Sequence, residues 1–319
     1  MSDKVYTPLH PPKETVKLAV PELKAPQIKM QEKIQEHFTK MGYTLPGIDE
    51  NGNLMEEEKF WLSYECQLRY LRATKWKVDD AIKRLESTLK WRREFGLYAH
   101  ITPEHIEPEA VTGKEILFGY DVHGRPGFYM IPSRQNTTEA TRQIEFAVWM
   151  LERCIDLMDE GVESLNLLIN FADKAKNPSM STSRTVLSIL QNHYPERLGK
   201  ALVINVPYLV SMFFKIITPF IDPVTVQKLK FNPDVVKDGI FAEDQVMKDF
   251  WGGNQDFEYV HEKYWPVLVN LCKTRKAKWV EDWKQMGGTI GIRESDYKSG
   301  KSEQPASTET ATEAKHSTG

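Results

Sequence analysis

Cysteine is scarce in this chain: Cys66, Cys154 and Cys272 lie far apart, and none belongs to a Cys-x-x-Cys pair. An odd, scattered set excludes a disulfide framework and a zinc ribbon and fits a reducing compartment. An excess of one charge sign is also missing. Acidic and basic residues number 45 and 42, a net charge of -3, so no field exists to hold nucleic acid by phosphate neutralisation. Met1 to Pro12 contain no apolar core of a signal peptide; export is not expected, and Asn136-Thr137-Thr138 reads as an unused glycosylation match. Nor is there a long unbroken hydrophobic run. In the nearest candidate, Ala201 to Ile221, Lys215 interrupts and Pro207 and Pro219 break the pattern, whereas a span needs about 20 mostly apolar residues. That stretch is expected to be buried or to skim a surface.

Enzyme signatures fail as well. The chain has no Gly-x-Ser-x-Gly elbow and no phosphate-cradling Gly-x-x-x-x-Gly-Lys loop, and Gly287-Gly288-Thr289-Ile290-Gly291 follows a helix instead of opening one. His261-Glu262 begins like a zinc-protease helix, but Trp265 stands where the second histidine must be. Asp79-Asp80 reads as charge at a helix start, not as a catalytic dyad. No catalytic residue, metal or cofactor is expected.

What is present is enough apolar sequence, 40% of 319 residues, to bury a sizeable core. Gln27 to Met41 predicts a short helix, with Ile28, Ile34, Phe38 and Met41 near helical spacing. A second helix is expected from Met55 to Arg72, its stripe made by Phe60, Tyr64, Leu68 and Leu71. A third runs from Asp79 to Gly96, with acids at its positive end and Arg92 and Arg93 at its negative end. Beyond Pro103 and Pro108 the texture changes. Ile116 to Tyr120 and Phe128 to Ile131, joined by a turn at Asp121 to Arg125, predict a hairpin. A helix from Thr141 to Met158 with Ile144, Val148, Leu151, Ile155 and Met158 inward, a buried strand Leu165 to Ile169, a helix Ser183 to Asn192 and a strand Ala201 to Val206 follow. This alternation predicts an α/β fold, a mixed, mainly parallel sheet flanked by helices, beside a helical N-terminal lobe.

Asp222-Pro223 is a strong helix start, which sets Lys228 about one and a half turns into a short helix. A long helix near Glu258 to Met286 closes the folded part, and from Arg293 to Gly319 the lack of large apolar residues predicts disorder. The expected organisation is an extension at 1–25, a helical lobe at 26–100, a sheet domain at 101–255, a C-terminal helix at 256–292 and a tail at 293–319.

The segment Tyr194 to Lys228 brackets an apolar run with two isolated charges, Glu196 and Lys228. A carboxylate accepts hydrogen bonds from sugar hydroxyls and an ammonium neutralises phosphate, with the Thr225 hydroxyl nearby. A solvated loop charge and an ordinary surface lysine are the alternative reading, and spacing does not choose between them.

Three stretches, Tyr194-Pro195-Glu196-Arg197-Leu198-Gly199-Lys200, Pro219-Phe220-Ile221-Asp222-Pro223-Val224-Thr225 and His123-Gly124-Arg125-Pro126, resemble the CRAL-TRIO lipid-binding family. Arg69 to Trp76 resembles its N-terminal companion domain, and the likeness runs from about Glu56 to Gly253. Within the family the chain is most similar to the fungal phosphatidylinositol transfer proteins, in particular the subgroup linked to azole tolerance. The resemblance implies an apolar pocket for one phospholipid with a mobile gate at Tyr208 to Phe220, where Tyr208, Met212, Phe213, Phe214 and Phe220 are candidates for lipid contact. Carried over by position, Glu196, Thr225, Lys228 and Lys75 would meet an inositol phosphate headgroup, and Thr74 stands where phosphatidylcholine-exchanging relatives usually place arginine. The strand that in those relatives offers hydroxyls to choline phosphate is here Leu165 to Ile169, and Leu190 lies on the nearby helix. Leu165, Leu167 and Leu190 cannot hydrogen-bond a phosphate, which predicts weak phosphatidylcholine binding and a compact apolar second ligand such as a sterol. The resemblance further implies a cytoplasmic, non-enzymatic carrier of phosphatidylinositol that touches membranes of the endoplasmic reticulum, lipid droplets or cell periphery, with lipid kinases as partners. A sterol or small-hydrophobe binding protein is the alternative, and a lipid esterase a third, disfavoured by the missing nucleophile elbow.

Overall fold

The computed structural model describes residues 4–18, 22–48, 52–173, 180–208, 212 and 226–299. The N-terminal lobe is built from α1 (Ala25–Thr39), α2 (Glu56–Trp61), α3 (Tyr64–Ala73) and α4 (Val78–Glu94). The single helix expected from Met55 to Arg72 is two. Ser63 causes the break: its hydroxyl accepts the Cys66 amide at 3.1 Å and so caps a new helix. Ile34, Phe38, Leu62, Leu68, Leu71, Leu85 and Leu89 form the core of this lobe. Phe60 leaves the expected stripe to pack with Trp283 and Tyr297.

A helix the sequence reading lacks, α5 (Pro103–Ala110), links the lobes. Thr102 accepts the His105 amide at 3.3 Å and Pro103 occupies the first turn, where its missing N–H costs nothing. Next come β1 (Glu115–Tyr120), β2 (Pro126–Met130), α6 (Ala140–Asp156), β3 (Leu165–Asn170), α7 (Met180–His193), β4 (Leu198–Ile204) and β5 (Leu229–Phe231). They make one sheet in the order β1-β2-β3-β4-β5, antiparallel at β1/β2 and parallel elsewhere. The predicted mixed, mainly parallel sheet is thus observed. On α6, Val148 and Leu151 are buried with Phe146, Trp149 and Met150, while Ile144 and Ile155 are only half-buried. Leu168 and Leu202, partners across β3 and β4, are fully covered.

The long helix α8 (His261–Gln285) sends Tyr264, Trp265, Leu268 and Cys272 into the sheet domain's core. The expected tail boundary at Arg293 is wrong: Glu294–Lys298 form a helix, α9, in which Glu294 and Tyr297 are buried. Residues 300–319 lie outside the described part. Among the described residues no helix is long and apolar enough to cross a membrane.

Both ends cross over. Val5 bridges Phe257 and the Val16 amide donates to Val122 O at 2.8 Å, so the N-terminal extension lies on the sheet domain. At the other end, Ile290 joins the N-lobe core, and the amides of Gly291 and Tyr64 exchange bonds with Leu62 O and Ile292 O at 3.0 and 3.2 Å.

Candidate functional site

Glu196 sits in the tight connection between α7 and β4 with φ of 61°, a left-handed conformation that costs a non-glycine residue about 1–2 kcal/mol. Such an outlier persists only where its surroundings hold it. They do so on both sides. Tyr194 donates its hydroxyl to Glu152 at 2.7 Å, and Arg92 grips the same carboxylate through two bonds of 2.8 and 3.1 Å. Burial pushes the Glu152 carboxyl up, but Arg92 outweighs it and holds the group well below the usual range. On the other side Arg197 is buried and donates to Glu163 O at 2.9 Å.

The exposed Glu196 carboxylate meets α3. Arg72 Nε lies 3.3 Å from its Oε2, while Arg72 Nη2 reaches Glu163 at 3.1 Å. A relay of ion pairs continues inward, with Arg69 bound to Glu163 and to Glu294 at 2.9 Å each and Lys298 to Glu294 at 2.9 Å. Burial raises the Glu163 carboxyl, yet Arg69 and Arg72 together bring it below its ordinary value.

Lys75 is exposed at the end of α3, and it and Trp76 both take positive φ, 54° and 63°. The Thr74 hydroxyl is turned onto its own helix end, donating to Tyr70 O at 2.9 Å; here it acts as a cap. Lys228, half-buried, donates through Nζ to Leu198 O at 2.7 Å, two residues beyond Glu196. Glu196, joined to α3 through Arg72, and Lys228, bonded to Leu198 O, therefore both lie at the start of β4. Thr225 lies outside the described residues, as do Phe213, Phe214 and Phe220.

Of the apolar candidates, Leu165 is buried, and Leu167 and Leu190 are half-buried against the sheet domain's core. Leu167 pairs with Phe128 on one side and Ala201 on the other. Tyr208 and Met212 are 77% and 42% exposed. A cleft of about 210 Å³ between the lobes is lined by Arg69, Arg92, Glu152, Arg197 and Glu294. Trp61, Tyr98, Ile155, Trp279 and Tyr297 line it as well. Arg72, which bridges Glu196 and Glu163, is the residue of this cluster that the sequence pattern did not single out.

A helical lobe beside a mixed, mainly parallel sheet flanked by helices defines a two-lobed α/β protein. The CRAL/TRIO domain profile matches residues 110–253 and the CRAL/TRIO N-terminal domain profile residues 29–87. The chain is 52% identical over 250 residues to a CRAL-TRIO domain-containing protein of Schizosaccharomyces pombe, covering 78% of this chain and 24% of that much longer protein. It is 38% identical over 261 residues to the phosphatidylinositol transfer protein PDR17 of Saccharomyces cerevisiae, covering 77% and 73%. The solved structure of Sfh5 superposes with a TM-score of 0.54 at 15% identity, covering 76% of this chain and 92% of that one. This chain belongs to the CRAL-TRIO lipid-binding family.

Proposed function

We propose that the protein is a non-enzymatic phosphatidylinositol carrier that takes one lipid from a membrane and releases it at another or presents it to a lipid kinase. The observation that carries this reading is that Glu196, held by Arg72 of α3, and Lys228, bonded to Leu198 O, both lie at the start of β4. In this reading the Glu196 carboxylate accepts inositol hydroxyls, Lys228 and Lys75 neutralise phosphate, Thr225 assists, and Arg72 orients Glu196. Thr74, whose hydroxyl bonds its own helix end, contributes shape. Acyl burial supplies affinity at about 0.8 kcal/mol per methylene, and the headgroup contacts choose the lipid. The similarity to PDR17 supports the choice of phosphatidylinositol.

Leu165 and Leu167 favour a second ligand without a phosphate. Phosphatidylcholine is held weakly and a sterol better, because an apolar wall leaves a choline phosphate unpaired. Tyr208, Met212, Phe213, Phe214 and Phe220 form the gate and its lipid-contacting face, and the carrier works from the cytoplasm on endoplasmic reticulum, lipid-droplet or peripheral membranes.

Mass spectrometry of lipid retained after incubation with liposomes of phosphatidylinositol, phosphatidylcholine and sterol tests this. Wild type should retain phosphatidylinositol; Glu196→Ala with Lys228→Ala should lose it and keep sterol. Retention of phosphatidylinositol by the double variant would overturn the site, and equal loss of both lipids would point to damaged folding.

A further inference from the structure

Away from the lipid site, two histidines and a buried carboxylate meet where the N-terminal lobe joins the sheet domain. His105, in the first turn of α5, places Nε2 at 2.8 Å from Glu145 Oε2, and His100 places its Nε2 3.7 Å from Glu145 Oε1. The two imidazole centroids are 4.3 Å apart. One ligand atom from each of the three residues lies within 4.8 Å of the others.

We infer that His100, His105 and Glu145 bind a divalent transition metal of the zinc and cobalt class. Zinc takes imidazole nitrogen at about 2.0–2.1 Å and carboxylate oxygen at about 2.0–2.2 Å, which puts neighbouring ligand atoms of a tetrahedron about 3.3 Å apart. The observed separations bracket that value, and the side chain that must move furthest, His100, is 61% exposed.

Charge balance points the same way. The Glu145 side chain is only 11% exposed, and among the described residues its ion-pair partners are these two histidines alone. A buried carboxylate without a permanent cation is costly, and among the described residues no Lys or Arg pairs with Glu145. A divalent ion supplies a permanent charge and a coordinate bond to the carboxylate, leaving its fourth position for water.

The backbone fixes the geometry. Gly96, with φ of 82°, receives the amides of His100 and Ile101 on its carbonyl at 2.9 and 3.0 Å. Thr102 caps α5 through the His105 amide, and Glu145 belongs to α6, against which α5 packs. A bound ion would fasten the connection after α4 to α6.

Titration of metal-stripped full-length protein with Co²⁺, followed by visible d–d absorption, tests the site. One equivalent should give tetrahedral bands, Zn²⁺ should displace it, and Zn²⁺ should raise the thermal midpoint. His100→Ala, an exposed change, should weaken Co²⁺ binding at least about tenfold, and Glu145→Gln likewise, whereas His37→Ala on α1 should leave it unchanged. No stoichiometric binding by wild type, unchanged affinity in His100→Ala, or equal weakening in His37→Ala would overturn the assignment.

Discussion

Replacing Glu152 by glutamine removes one charge from the support beneath the Glu196 turn. Arg92 is 5% exposed in its side chain and Glu152 13%. Besides its two bonds to Glu152, Arg92 keeps the Tyr98 hydroxyl at 3.0 Å and lies 5.3 Å over the Trp61 ring. Glutamine can hold one of the carboxylate's bonds, but the guanidinium charge stays in the interior. Breaking one partner of a buried pair costs about 3–5 kcal/mol, and weakening the Tyr194 bond to a charged acceptor adds about 1.5–3 kcal/mol at most. Because glutamine keeps one of the bonds, which offsets the second cost, the expected loss is about 3–5 kcal/mol, a fifth or more of the stability of a typical domain of about 5–15 kcal/mol. Urea unfolding followed by tryptophan fluorescence at pH 7 measures it. Arg92→Met with Glu152→Met should recover most of the loss, since a dry apolar pair carries no stranded charge. The Glu152 carboxyl is depressed in the fold, so the stabilisation is complete above the unfolded value and fades only as pH falls toward the folded one. A loss below about 1 kcal/mol for Glu152→Gln, or a double variant as unstable as the single one, would refute the reasoning that the pair is desolvated and coupled.

Two further outcomes concern the sheet. At Gly119, φ is 65° and an added Cβ would lie 1.8 Å from Gln245 O, so Gly119→Ala should cost well over the ~1–2 kcal/mol of left-handed strain alone, read as a fall in the urea midpoint. Glu115 on β1 has no partner for Oε2, and burial pushes its carboxyl up to about 8. The folded state therefore holds a proton that the unfolded state releases, and stability falls as pH rises from about 4.5 to about 8. Glu115→Gln should raise the thermal midpoint at pH 8 by several degrees and change little at pH 5; equal shifts at both would contradict this.

The sheet was legible because alternating apolar runs such as Leu165 to Ile169 admit few topologies. Less legible were the features that local pattern hides. Phe60, Tyr64, Leu68 and Leu71 keep helical phase across the Ser63 cap, so periodicity alone sees one helix. Pro103 and Pro108 read as breakers, although a proline in a first turn favours a helix. Arg72 escaped notice because its partners Glu163 and Glu196 lie 91 and 124 residues away, a separation no local signal spans. Polar composition likewise concealed α9, whose anchors Glu294 and Tyr297 act through Arg69, Ser63 and Phe60.

The crossing of the chain's ends has a consequence for modularity. The extension at Val5 and Val16 completes the sheet domain, and Gly291 to Tyr297 completes the helical lobe. Neither lobe can be excised as one contiguous stretch of sequence without removing part of its own surface. Expressed alone, residues 101–255 would expose Phe257's partners and lose α8, while residues 26–100 would leave Arg69 without Glu294 and Glu163. The two-domain order read along the sequence is therefore an order of chain, and the unit that folds is the pair.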